Sequence, residues 1–152
     1  KPLIDDLIGS PQDAETFISQ YPSLFNIEYV YEEKEDILGL LYISLKNIGD
    51  RKATGAYYTP TNVVKKLIGN LEHTVKSFDQ KKIIDPCCGT GNFLLQLPDT
   101  VNIEHIYGND IDLNSVRIAR INLALRYEIS SLDIIYEHVT ILYKDNTFIC
   151  SD

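Results

Sequence analysis

Apolar residues recur at helical spacing in the first third of the chain. The segment SPQDAETFISQ predicts a helix, because Ser10 is a good N-cap and Pro11 suits the first helical position. YPSLFNIEYVYEEK, which follows, favours no single element. EDILGLLYISLKNI predicts a second helix. The residues expected to form its packing face are Ile37, Leu38, Leu41, Leu45 and Ile48.

A loop and a third helix come next. GDRKATGAYY carries two glycines and no helical stripe, so we place a domain boundary near residue 52. Thr59 then suits an N-cap, and Pro60 suits the first position of a helix through TNVVKKLIGNL. The residues expected to form its buried face are Val63, Val64, Leu67, Ile68 and Leu71.

Strands and helices alternate from residue 81 onward. KKIID predicts a short strand, GNFLLQL a helix, IEHIYGND a second strand and DLNSVRIARINLALRY a long helix. SLDIIYEHVTILYKD has Leu132, Ile135, Val139 and Leu142 at helical spacing, and TFIC predicts a last strand. This β-α-β-α-(α)-β order favours an α/β fold with a parallel sheet wrapped by helices.

Composition narrows the class of protein. Hydrophobic residues make up 44% and charged residues 24%, as in a packed domain, and no apolar run approaches the roughly 18 residues of a membrane span. A net charge of -8 opposes binding to phosphate backbones, and three cysteines suit a reducing cytoplasm. Because the chain has no methionine and no signal-peptide pattern, we expect a fragment or a processed chain.

The candidate chemistry centres on DPCCGTGNF, residues 85 to 93. Zinc is disfavoured, because Cys150 is distant and the three histidines are scattered. A nucleophilic cysteine is disfavoured, since no acid or base adjoins it at a catalytic spacing. A phosphate-binding P-loop would need a lysine after Gly91, and a dinucleotide fingerprint is weakened by Leu94, where a small residue is preferred.

The next predicted strand ends on an acid. Asp110 lies 19 residues past Gly91, where a carboxylate can accept hydrogen bonds from both ribose hydroxyls. A strand-end acid can also cap a helix, and Asp112 suits that role. Asp85 would repel a pyrophosphate but suits a ligand that carries a cation. S-adenosylmethionine fits, because it has a ribose, two cations and no phosphate, and the helix that starts after Thr59 offers its carboxylate a positive end.

In this order the motifs resemble the amino-group (N6-adenine) DNA methyltransferases of type I and type IIG restriction-modification systems. Three stretches carry the resemblance: DILGLLYISL with RKATGAYYTPTNVV, DPCCGTGNFLLQL, and YGNDIDLNSVRIARINLAL. The resemblance implies a cytoplasmic enzyme with a Rossmann-like, S-adenosylmethionine-dependent methyltransferase fold. Residues 53–152 would be the N-terminal half of that domain, and residues 1–52 a preceding helical region.

The resemblance also assigns cofactor-binding residues. They are Tyr58, Thr59, Pro60, Asp85, Cys87, Gly89, Thr90, Gly91, Asp110, Ile111 and Asp152. The first three would contact the methionine moiety, and the next five would surround the cofactor. Asp110 would hold the ribose, Ile111 would pack on adenine, and Asp152, placed by its position in FICSD, would take the adenine amino group.

The glycines and cysteines of the loop then have simple roles. Gly89 and Gly91 would leave room for the cofactor to approach the backbone. Cys87 and Cys88 would be small residues that line or support the turn. No metal is expected.

The family's catalytic tetrapeptide, [DNS]-P-P-[YFW], has no counterpart, because none of the six prolines adjoins another. In the resembled mechanism the target adenine is flipped from the duplex and its amine attacks the sulfonium methyl directly. We therefore expect no catalytic residue in this chain and an inactive fragment. DNA and a specificity or restriction subunit would be bound through other regions.

Two alternatives stay open. Protein-glutamine and RNA amino methyltransferases share the glycine loop and the later tetrapeptide. A non-catalytic interaction lobe of the same fold would also carry this pattern.

Overall fold

The computed structural model describes residues 11–26, 30–49, 51, 57–129, 131 and 139–143. The chain divides into two compact units, Lys1–Glu33 and Lys34–Asp152. Within the described ranges, no helix is both long and apolar enough to cross a membrane.

The first unit contains two helices. Helix α1 is Pro11–Gln20 and confirms the predicted first helix, with proline at its first position. Helix α2 is Pro22–Phe25, a single turn that also begins with proline. It lies in the segment for which the sequence favoured no element.

The second unit contains four helices and three strands. The helices are α3, Ile37–Leu45; α4, Thr61–Thr74; α5, Asn92–Leu95; and α6, Leu113–Arg126. The strands are β1, Ile83–Asp85; β2, Ile106–Asp110; and β3, Thr140–Tyr143. A 3-10 turn, Ile103–His105, leads into β2.

The three strands form one parallel sheet in the order β1-β2-β3. The register pairs Asp85 with Gly108 and Asp110 with Tyr143. The sheet and its helices confirm the predicted α/β fold with a partial Rossmann-like architecture. Because parallel strands end at one edge, Asp85 and Asp110 lie at the same side of the unit.

The core lies between the sheet and helices α4, α5 and α6. Its fully buried side chains include Val64, Leu94, Leu95, Ile106, Leu123 and Ile141. The Arg126 guanidinium donates to the carbonyl oxygens of Leu94 at 2.7 Å and Leu97 at 2.6 Å. These bonds satisfy one carbonyl in the last turn of α5, which has no partner within so short a helix, and one just after the helix.

The third strand differs from its prediction. The helix expected over SLDIIYEHVTILYKD is wrong at residues 140–143, which form β3. Val139, Thr140 and Ile141 are β-branched and favour a strand, and both Val139 and Ile141 are buried. The strand predicted at TFIC lies outside the described residues.

Helix α3 packs through a different face from the predicted one. The five apolar residues expected to be buried are exposed, including Leu41 and Leu45. The helix packs against α6 through small and polar positions, with Asp36 and Gly39 buried. The division into two compact units falls before α3, and the domain boundary near residue 52 stays a prediction.

Helix α4 begins later than predicted. Pro60, and not Thr59, occupies the N-cap position, and its carbonyl accepts from the Val63 and Val64 amides. The buried face is narrower than predicted, because only Val64 and Ile68 of the five expected residues are buried. The remaining three, Val63, Leu67 and Leu71, are exposed.

Candidate functional site

The glycine loop follows β1 and uses two left-handed residues. Gly89 has φ of 52° and Gly91 has φ of 89°, a region in which a side chain is strained. A Cβ added at Gly91 would lie 3.3 Å from the Ala119 Cβ, whereas one added at Gly89 would meet nothing within 4 Å. Gly91 thus lets the loop approach α6, and Gly89 faces open space.

Asp110 ends β2 beside this loop. One carboxylate oxygen accepts from the Gly89 amide at 2.9 Å, and the other accepts from the Asp112 amide at 2.8 Å. These bonds fix the direction of the carboxylate. Since each carboxylate oxygen can accept more than one hydrogen bond, Asp110 retains the capacity to bind hydroxyl groups.

Asp112 caps α6, as predicted from the sequence. Its carboxylate accepts from the amides of Asn114 at 3.0 Å and Ser115 at 3.4 Å. It also accepts from the Tyr42 hydroxyl at 2.7 Å and from the Lys46 ammonium. Burial by itself would raise the pKa of Asp112, but the bonds from Lys46 and Tyr42 outweigh burial and the pKa lies below its ordinary value.

Asp85 ends β1 and accepts from the Cys87 amide at 3.1 Å. Burial raises the pKa of Asp85, and the negative charge of Asp110 adds to this effect. A cation bound beside the two carboxylates would favour their ionised forms. The loop is therefore suited to a positively charged ligand more than to a phosphate.

The two cysteines of the loop have different surroundings. Cys88 is buried, its amide donates to the Asn109 carbonyl at 2.9 Å, and burial raises the pKa of its thiol. Cys87 is exposed and lines a mostly apolar cavity of about 300 Å³ beside β1. The other lining residues are Ile68, Ile83, Ile84, Asp85, Pro86, Phe93, Leu94 and Leu97.

Among the described residues, no cluster of His, Cys, Asp and Glu could hold a metal ion.

The Tyr58–Pro60 segment lies at the other end of the glycine loop. The Asn92 side-chain amide donates to the Thr59 carbonyl at 2.7 Å, and the Thr61 hydroxyl donates to the Asn92 side-chain oxygen at 3.4 Å. The Tyr58 hydroxyl lies 3.1 Å from the Thr61 hydroxyl. Asn92, which the sequence interpretation missed, thus connects this segment to the loop.

The remaining predicted residues are Thr90, Ile111 and Asp152. Thr90 is buried, and its hydroxyl donates to Asp36, so its side chain faces the interior. Ile111 is 46% exposed, next to Asp110. Asp152 lies outside the described residues.

Two buried polar residues behind the loop were also missed. Asp36 accepts from Thr90 and from Asn122, and Asn122 also donates to the Thr90 carbonyl. The sequence carries a signal for each. Asp36 directly precedes the apolar run ILGLLYISL, and Asn122 interrupts the apolar positions of RIARINLAL.

Comparisons with known proteins bear on the family of this chain. Residues 33–148 match the family model described as N-6 DNA Methylase. The chain is 28% identical over 112 residues to the type I restriction enzyme HindI methylase subunit of Haemophilus influenzae. That alignment covers 67% of this chain and 24% of the Haemophilus protein. It is 34% identical over 70 residues to the type II methyltransferase M.VspI of Vibrio sp. (strain 343), covering 45% of this chain and 16% of that protein.

The chain thus spans a quarter or less of the length of either relative. No solved structure gives a significant match.

Proposed function

Because the chain belongs to the N-6 DNA methylase family, we propose that it is the S-adenosylmethionine-binding part of a site-specific adenine DNA methyltransferase. The full protein would transfer a methyl group to the exocyclic amine of adenine. The observation that carries the proposal is the hydrogen bond of 2.9 Å between Gly89 and Asp110. It joins a glycine loop and a strand-end acid at the carboxyl edge of a parallel sheet, the place where such folds bind nucleosides.

The residues at this edge fit the cofactor. Asp110 would accept hydrogen bonds from the ribose hydroxyls, and the exposed side chain of Ile111 would pack on adenine. Asp85 would favour the positive groups of the ligand. The open space beside Gly89 would admit the ligand next to the backbone. When bound, S-adenosylmethionine supplies the activated methyl group.

We propose that the methionine carboxylate binds near the N-terminus of α4. The first amides of a helix have no partner within it, and its dipole favours a negative charge there. Asn92 connects Thr59 to the glycine loop, so this helix end lies beside the rest of the candidate site.

An acid after the third strand would accept a hydrogen bond from the adenine amino group. Asp152 was predicted for this role on the assumption that the strand lies at TFIC. β3 ends at Tyr143, so Asp145 follows the strand by two residues and Asp152 by nine. We therefore propose Asp145 as the first candidate and Asp152 as the second, both to be compared as alanine variants in cofactor binding.

The relatives support DNA as the substrate. Their names describe a methylase subunit of a type I restriction enzyme and a type II methyltransferase. The family description names DNA, which favours DNA over RNA or protein as the substrate of the full protein. We propose that the full protein works in the cytoplasm with a specificity or restriction subunit.

Calorimetric titration of the chain with four ligands tests the proposal. S-adenosylmethionine and its demethylated product, S-adenosylhomocysteine, should bind, whereas NAD and ATP should not, because two carboxylates lie at the loop. Binding of NAD without binding of either methionine-derived ligand would replace the proposal with a dinucleotide-binding function.

A further inference from the structure

We propose that Asp36 is a positioning residue for the glycine loop. From the N-cap position of α3, its buried carboxylate holds Thr90 and Asn122 together behind the loop. The effect of Asp36 on cofactor binding rests on the function proposed above. The effect on the loop itself does not depend on that function.

The contacts form a closed triangle. Asp36 is 1% exposed, and one of its oxygens accepts from the Gly39 amide at 2.8 Å and from the Asn122 side-chain amide at 2.7 Å. Its other oxygen accepts from the Thr90 hydroxyl. Asn122 also donates to the Thr90 carbonyl at 2.8 Å. Asp36, Thr90 and Asn122 are therefore each bonded to the other two.

Capping a helix does not require this degree of burial. A buried carboxylate is costly unless donors surround it, and here three donors do so. Removal of Asp36 would leave the Thr90 hydroxyl without a buried acceptor, and a buried polar group without a partner destabilises the segment that carries it. That segment is the glycine loop.

Thr90 lies between the two glycines that shape the site. Gly89 donates to Asp110 on one side, and Gly91 on the other leaves too little room for a side chain beside Ala119 of α6. A change that releases Thr90 would therefore free the Gly89 amide to leave Asp110. Asp36 thus acts on the ribose-binding acid through the loop backbone.

Three variants test the proposal. Asp36→Ala removes the acceptor, and Thr90→Val removes the donor. Asp36→Asn retains an oxygen for Gly39 and Asn122, and its amide group can donate to the Thr90 hydroxyl. Asp99→Asn is the control, because the Asp99 side chain is 75% exposed and its ion-pair partners, Lys34 and Arg126, do not belong to the triangle.

The measurements are the dissociation constant of S-adenosylhomocysteine, amide hydrogen exchange of residues 87–91, and the melting temperature. Asp36→Ala and Thr90→Val should each weaken binding about tenfold and speed exchange in the loop, the consequence of one lost hydrogen bond in a buried network. Asp36→Asn should stay within about threefold of the wild type. The double variant Asp36→Ala/Thr90→Val should be no weaker than the Asp36→Ala single variant, because both changes remove the same bond.

The outcomes separate the two proposals. Failure of the wild type to bind S-adenosylhomocysteine would refute the proposed function, while loop exchange would still decide the role of Asp36. A lower melting temperature with unchanged exchange and affinity would show that Asp36 is merely structural. If Asp36→Ala does not fold, unchanged loop exchange in Thr90→Val overturns the inference.

Discussion

Asp110 and Asp112 lie two residues apart after β2, yet their carboxylates have different partners. Asp112 caps α6 and is bound by Tyr42 of α3 and by Lys46, which directly follows α3. Asp110 is oriented by two backbone amides and faces the glycine loop. Because Asp112 caps the helix, Asp110 is not needed for that role, which supports the proposed role of Asp110 in ligand binding.

The ion pair of Asp112 should make stability depend on pH. The pKa of Asp112 is lowered in the folded state, so its contribution is present above the ordinary aspartate pKa of about 3.9 and is lost as the pH falls through the lower folded value. Asp112→Asn keeps a good N-cap but weakens the bond with Lys46. Urea unfolding should show the wild type more stable by about 1 kcal/mol at pH 7, with the difference shrinking below about pH 4. A difference that stays constant with pH would contradict the pKa assignment.

A side chain at position 89, where the chain has Gly89, should prevent cofactor binding. A valine at φ of 52° is strained, and its branches would occupy the open side of the loop. Gly89→Val should abolish calorimetric binding of S-adenosylhomocysteine. The matched change Gly69→Val also meets open space, on helix α4, and should leave the affinity unchanged. Retained affinity in Gly89→Val would place the ligand elsewhere.

The sequence predicted most helices and strands but not which neighbours they pack against. Periodicity identified α3, yet its apolar residues are exposed and its contacts are made by Asp36, Gly39, Tyr42 and Lys46. A hydrophobic pattern does not encode which neighbour each face meets. The position of β3 was missed for a related reason, since a buried parallel strand is a nearly continuous apolar run and its spacing can also fit a helix.

The candidate site was likewise predictable in part. The glycine loop and Asp110 stand out because their chemistry is local in sequence. Asp36 and Asn122 do not, since they lie 86 residues apart and only the tertiary fold makes them partners.

Two helical glycines test the packing of α3. A Cβ at Gly39 would overlap the Asp36 carboxylate and the Thr90 hydroxyl oxygen, whereas a Cβ at Gly69 meets nothing. Gly69→Ala should raise the free energy of unfolding by about 0.5 to 1 kcal/mol, the difference in helix propensity. Gly39→Ala should lower it by about 1 to 3 kcal/mol, as overpacking does. Denaturant titration measures both, and equal stabilisation by the two changes would contradict the described contact.

The net charge of -8 opposes DNA binding by the chain, and so do the internal partners of several basic residues. Arg120 and Arg126 donate to carbonyl oxygens within the unit, and Lys34, Lys46 and Lys65 form ion pairs with acids. The family match over residues 33–148 contains no pair of adjacent prolines. These features favour the proposed cofactor-binding part over a DNA-binding surface.

The chain by itself should methylate no DNA. Transfer of a tritiated methyl group to mixed-sequence duplex DNA should stay at background, because no Pro-Pro tetrapeptide is present to orient the adenine amine. Duplex binding measured over a salt series should be weak at every salt concentration. Methyl incorporation above background would show that the catalytic residues lie within this chain.

Calorimetry of S-adenosylhomocysteine with Asp110→Ala tests whether Asp110 holds the ribose of S-adenosylmethionine. The wild type should bind, and the variant should lose about 1 to 3 kcal/mol, or roughly 5- to 150-fold in affinity, because the ribose hydroxyls lose their acceptor. Asp99→Ala, which removes an exposed carboxylate, should bind as the wild type does. Equal affinity of the wild type and Asp110→Ala would contradict the assignment of Asp110 as the acceptor for the ribose hydroxyls.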